Sequence, residues 1–286
     1  MPRREDEFEP MPLDPRVERA VRWLRENVPG AEPGLVALER ETTAGGTLIA
    51  GGLAYRLFLW LLPFSLVVAA IAILWEEEDP QGFENASKDF GLSASAARSM
   101  RRSIEDSAKG TWYFLILGLI FLMWFSIGVV RALRLAHTVA WGVRRERFRR
   151  PIHGALLFTF AAIAVILVTG AAQLLREQTD VDVLVTFAIV VVYVGFALLL
   201  MLLLPHRDTP WTALLPGAAL VGVGALGLQA FTTLYLAPKI GRSSELYGAL
   251  GAATVILLWL YIIARLITLS AFLNATLWER RHPSAD

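Results

Sequence analysis

Six stretches almost free of charge dominate this chain, near residues 46–75, 112–140, 152–175, 181–204, 211–236 and 246–277. Each exceeds the roughly 20 residues with which an α-helix crosses a hydrocarbon core about 30 Å thick. No water reaches backbone amides in that core, so a spanning segment must be a helix or a strand of a closed barrel. Barrel strands alternate in polarity over about 10 residues, whereas these stretches are continuously apolar. The fold class is therefore all-α, a polytopic membrane protein built as a bundle of six transmembrane helices. Composition agrees: 55% of the 286 residues are hydrophobic and only 19% charged, too apolar a balance for a soluble domain.

The net charge of +1 hides a strong segregation. Between spans two and three the sequence WGVRRERFRR packs together Arg144, Arg145, Arg147, Arg149 and Arg150, while the connection after span three has Arg176 beside Glu177 and Asp180. Short basic loops stay in the cytoplasm, and an even number of spans then puts both termini there too. The expected organisation is a cytoplasmic segment 1–45, a membrane domain 46–278 with an external loop 76–110, and a cytoplasmic tail 279–286. Within the first segment Arg16–Asn27 places Val17, Ala20, Val21 and Leu24 on one face, as an amphipathic helix lying along the membrane does. The external loop opens with EEEDP and contains a helix-like stretch, Ser93–Lys109, that reads as a small helical cap. No short apolar stretch with a cleavage site precedes the first span, so the first span itself is expected to act as the membrane signal. Cysteine is absent, which removes disulfides and thiolate metal sites.

Toward the carboxyl end stand Tyr247-Gly248-Ala249-Leu250-Gly251, Leu258-Trp259-Leu260-Tyr261 and Leu273-Asn274-Ala275. Upstream stand Leu53-Ala54-Tyr55 with Pro63, and then Leu204-Pro205, Pro210-Trp211, Leu215-Pro216-Gly217-Ala218 and Tyr235. Together these resemble the motifs of the YihY/BrkB family over roughly residues 35–278. The resemblance implies a six-helix protein of the bacterial inner membrane, from a family labelled virulence factor or ribonuclease and linked to transport. Where family members commonly carry an acid in a GAELNA-like element, this chain has Ser270-Ala271-Phe272-Leu273-Asn274-Ala275. Arg265 and Arg56 stand where an aliphatic and an aromatic residue are more usual.

Of the 27 lysines and arginines, 15 fall in the expected cytoplasmic segments and eight in external ones, leaving Arg56, Arg131, Arg134 and Arg265 inside spans. All 26 acidic residues lie outside the spans or at their edges, so these four arginines are expected to lack a carboxylate partner in the bilayer. A charge at the bilayer centre costs at least about 2.5–3.5 kcal/mol, so each must be compensated. Two readings stand side by side. Each side chain snorkels to the cytoplasmic headgroups, or the four guanidinium groups line a shared cytoplasm-facing cavity for an anionic group, which arginine matches bidentately. Arg131 and Arg134, three apart, fall on one helix face as the second reading requires. Pro63 in span one, and Gly217 and Gly222 in the glycine-rich fifth span, are candidate hinge or gating positions, with kink tolerance and close packing as the plainer alternatives.

Other chemistry finds little footing. Gly222-Val223-Gly224-Ala225-Leu226-Gly227 fits the G-x-G-x-x-G pattern but lies in an apolar span with no strand before it. His137, His153, His206 and His282 sit in separate segments without metal-site spacing. Neither a metal, nor a cofactor, nor a nucleic-acid partner is expected, and no catalytic constellation appears. The expected function is a transporter or translocator of an anionic solute or lipid-like amphiphile, with membrane lipids around it. The alternative is a non-transporting scaffold that binds a protein partner or anionic lipid. A membrane hydrolase or ribonuclease has the least support.

Overall fold

A computed structural model of the protein describes residues 22, 23, 25, 27, 31–78, 111–143, 151–178, 182–231 and 237–282. Among them every long element is an α-helix: α1 (Glu32–Thr43), α2 (Gly46–Glu78), α3 (Thr111–Trp141), α4 (Pro151–Gln178), α5 (Asp182–Leu203), α6 (Leu215–Phe231) and α7 (Ala237–Arg281). A short 3-10 turn, Trp211–Leu214, leads into α6. The six stretches expected to span are helical over their described residues, and each contains a helix long and apolar enough to cross a membrane. The expected external cap Ser93–Lys109, the basic loop 144–150 and most of Arg16–Asn27 lie outside the described residues.

The helices close into a ring in chain order. α2 packs on α3, α3 on α4, α4 on α5, α5 on α6, α6 on α7, and α7 returns to α2 while also touching α3. α7 is the organising element, since α1, α2, α3 and α6 all lean on it. Its 45 residues extend roughly 67 Å at 1.5 Å per residue, about twice the hydrocarbon thickness. The outer face carries Phe121, Trp124, Phe160, Phe187 and Val223, all exposed. Such a face is solvated by lipid tails, and helix–helix contact must then come from close packing and internal hydrogen bonds.

Two buried polar groups supply those bonds. In the first half of the ring, the Trp60 indole N–H on α2 donates to Ser126 Oγ on α3 at 2.8 Å. Ser126 donates its own proton to the Leu122 carbonyl at 2.7 Å, one turn earlier. Its remaining contact, Thr159 Oγ1 of α4 at 2.8 Å, must therefore be the donor. One hydroxyl ties three helices. Trp60 also stacks on Phe64 with ring centres 4.9 Å apart and meets the edge of Phe158 at 5.5 Å.

In the second half, Asn274 of α7 does the same work. The first turn of α6 has amides without intrahelical acceptors, and Pro216 removes one of them. Gly217 N–H finds its acceptor in Asn274 Oδ1 at 2.7 Å, so α6 is capped from another helix. Asn274 Nδ2 donates to the Leu214 carbonyl at 3.1 Å and toward Met201 Sδ at 3.4 Å, drawing in α5. The approach needs glycine, because a Cβ on residue 217 would stand 2.5 Å from both Asn274 Nδ2 and the Ser270 carbonyl.

Replacing Asn274 by Ala is expected to lower stability by about 1–3 kcal/mol, the cost of leaving a buried amide and carbonyl unpaired. Gly217→Ala is expected to cost a similar amount by overpacking. The two share one contact, so the double variant should fall short of their sum in detergent unfolding measurements.

Candidate functional site

Of the four span arginines, Arg265 and Arg134 are half-buried, and Arg265 has a carboxylate partner. Its Nη1 donates to Glu41 Oε1 at 2.9 Å and to Thr47 Oγ1 at 2.6 Å. The expectation that this arginine lacks a carboxylate is corrected by the fold. Glu41 precedes span one in sequence, but α1 turns back and lays it against α7. Gly45, at φ +72°, makes the turn between α1 and α2, a left-handed conformation that glycine adopts without strain. Gly46 then leaves room for the Glu41 carboxylate, whose Oε1 would be 2.6 Å from a Cβ there. Glu41 is fully buried. Burial pushes its carboxyl above the ordinary range, and the Arg265 charge partly opposes that rise.

Outside this pair the ends of α1 and α7 are laced by more exposed contacts. Arg40 Nη1 meets Glu279 Oε2 at 2.6 Å, Arg207 reaches the other oxygen of Glu279 at 3.5 Å, and Arg280 lies 3.2 Å from Glu32. Half-exposed pairs of this kind contribute little each, but together they fix where α1 lies.

Arg56 and Arg131 are on the outside of the bundle. Arg56 Nη1 donates across the α2–α3 seam to the Gly128 carbonyl at 3.2 Å. Arg134 is half-buried and faces elsewhere, lining a cavity of about 60 Å³ between α3, α4 and α5. The other walls include Leu133, Leu157, Phe158, Leu200 and Leu203, with Gly154 opening the space. Arg134 is the only one of the four arginines on this wall. The shared cavity is thus not what the described residues form: they separate the four into an ion-paired arginine, two outward-facing ones and one over an apolar pocket.

The candidate hinges occupy packed positions. Pro63 sits within the unbroken run of α2. Gly217 takes the Asn274 contact, and Gly222 faces Val194 of α5 so closely that a Cβ would overlap its side chain. Among the described residues no three His, Asp or Glu side chains converge as a metal site requires. His137 is buried, with Nδ1 3.1 Å from the Leu133 carbonyl.

Sequence reasoning missed Glu41 as a partner because it counted acids by span rather than by reach. The pair Gly45-Gly46 beside it, which permits a reversal, was the available signal. Asn274 stood in a quoted motif without a role, although a carboxamide in an apolar run marks a polar contact.

A closed ring of six lipid-facing helices with internal polar ties defines a polytopic helical membrane protein. A family model described as virulence factor BrkB matches residues 37–286. The chain belongs to that family, in agreement with the motifs read from the sequence. No curated protein and no solved structure matches it.

Arg265→Leu strands a buried carboxylate and is expected to cost about 3–5 kcal/mol, and the double change with Glu41→Gln should recover much of that loss. The sign with pH follows from the raised Glu41 carboxyl. The folded state holds its proton to higher pH than the unfolded chain, so stability falls as pH rises above the ordinary carboxylate range. Without Arg265 the carboxyl rises further, and the single variant should lose stability with pH over a wider window than the native chain. Unfolding midpoints taken across a pH series test both statements.

Proposed function

We propose that this protein translocates an anionic, lipid-like amphiphile across the bacterial cytoplasmic membrane, with both termini in the cytoplasm. The observation that carries this reading is the pocket between α3, α4 and α5, whose walls are mostly leucine, with Val130, Gly154, Phe158 and one arginine, Arg134. Apolar walls favour hydrocarbon, and arginine matches a phosphate or carboxylate. Their combination suits a molecule that has both, and suits a small hydrophilic anion less. About 60 Å³ has room for a short part of such a chain, so passage requires α3, α4 and α5 to part further. In this reading the protein works without a cofactor, performs no covalent chemistry and has no nucleic-acid partner.

A non-transporting scaffold is the second reading. It is favoured by the ion pairs that fasten α1 to α7, which make a rigid platform for a protein partner or anionic lipid.

Proteoliposomes loaded with a fluorescent anionic lipid distinguish the two. Transport predicts bilayer exchange above protein-free vesicles, reduced about tenfold by Arg134→Leu, a loss matching one charge-assisted contact, and also reduced by Leu200→Trp, which fills the pocket. Exchange equal to that of empty vesicles across anionic lipids removes the transport reading.

A further inference from the structure

Arg56 and Arg131 form a pair that no acid among the described residues answers. Arg56 Nη1 rests on the Gly128 carbonyl at 3.2 Å, and its guanidinium fills the space a Cβ on Gly128 would take, 3.0 Å away. Arg131 is one turn further along α3. Residues three apart on a helix are surface neighbours, with Cβ atoms about 5–6 Å apart, so the Arg131 side chain rises beside the place where Arg56 ends. Both are exposed, and Arg131 has no hydrogen-bond or ion-pair partner among the described residues. Two like charges set side by side on a face otherwise built for lipid are unfavourable unless an anion bridges them.

The depth of the pair says which anion. Trp112 and Tyr113 begin span two with their rings exposed, at 64% and 80%, as interfacial aromatics are. From Trp112 to Arg131 the helix advances 19 residues, roughly 28 Å. From Arg56 to the Glu76-Glu77-Glu78 end of α2, it advances about 20 residues, or roughly 30 Å. Two helices running in opposite directions therefore give the same answer. Each holds its polar end at one rim of a ~30 Å hydrocarbon core and its arginine at the other. That rim is where lipid phosphates lie.

We infer that Arg56 and Arg131 hold the phosphate of one anionic phospholipid on the outer α2–α3 face. Arg56 keeps one N–H on Gly128 and presents the rest of its fork to the phosphate oxygens, while Arg131 closes from the other side. Gly128 leaves the space against α3 in which the Arg56 guanidinium rests, since a Cβ there would stand 3.0 Å from its Nη1. This lipid is separate from any amphiphile in the α3–α4–α5 pocket, and the site stands whether or not the protein transports.

The test uses the full-length protein, delipidated in detergent and titrated separately with phosphatidylglycerol and phosphatidylcholine, with bound lipid counted by native mass spectrometry. The native chain should retain phosphatidylglycerol about tenfold better than phosphatidylcholine, a difference expected of charge-assisted phosphate contacts. Arg56→Gln with Arg131→Gln should erase the preference, Arg56→Lys with Arg131→Lys should keep part of it, and Arg281→Gln should leave it intact. If the double glutamine variant does not fold, Arg131→Gln alone should reduce the preference, since that side chain supports no contact among the described residues. Equal retention of both lipids by the native chain overturns the inference. So does a preference that survives loss of both arginines in a folded variant, or displacement of phosphatidylglycerol by inorganic phosphate alone.

Discussion

A polar group inside a bilayer has no water to fall back on, and the arrangement of this protein follows from where each such group finds its partner. Six apolar helices are nearly interchangeable as far as lipid is concerned, since leucine gains nothing by leaving one hydrocarbon for another. Order among them has to come from the few side chains that lipid cannot satisfy. Ser126 holds Trp60 and Thr159 on neighbouring helices, and Asn274 holds Gly217, Leu214 and Met201. These two sites lie in different halves of the ring, and each joins three consecutive parts of the packing order. The small residues around them, Gly217 and Gly222 among them, are what let backbones come close enough for the bonds to form.

The same rule explains α1. A short helix outside the spans would ordinarily drift at the interface, but here it carries the one carboxylate that reaches Arg265. Burying both charges is costly unless each finds the other, and Thr47 takes a further N–H of the arginine. The reversal at Gly45 and Gly46 is therefore as much a part of the membrane domain as any span. It brings the start of α2, the middle of α7 and the end of α1 to one point, and the outer contacts of Arg40, Arg207 and Arg280 follow from that alignment.

The fold was legible because its signal is coarse. Continuous apolarity over more than 20 residues has one structural answer in lipid, and all six stretches became helices. Helix ends were less legible: α7 begins at Ala237, ahead of the apolar stretch, because polar residues continue a helix once it is nucleated. The arginines were legible as anomalies but not as a site. Periodicity puts Arg131 and Arg134 on one side of α3, yet a 60° difference around the axis is enough for one to face outward and the other to face the pocket. Nothing in local spacing reveals that Glu41, 224 residues from Arg265 in sequence, is its partner. Long-range pairing depends on the topology of the ring, and one sequence does not display it.

The division of the arginines also shapes the transport proposed for this protein. An aqueous anion pathway needs several polar groups along one passage, with backbone or side-chain donors replacing water at each step. Here Arg265 is ion-paired with Glu41, and the walls around Arg134 are otherwise apolar. A solute that must leave all its water gains one guanidinium there and loses a hydration shell, which is a poor exchange. An amphiphile leaves only its headgroup to be satisfied, and its chain remains among leucines inside or outside the protein. One arginine over a hydrocarbon wall is then enough, which is why the proposed transport is of a lipid-like amphiphile and not of a hydrophilic anion.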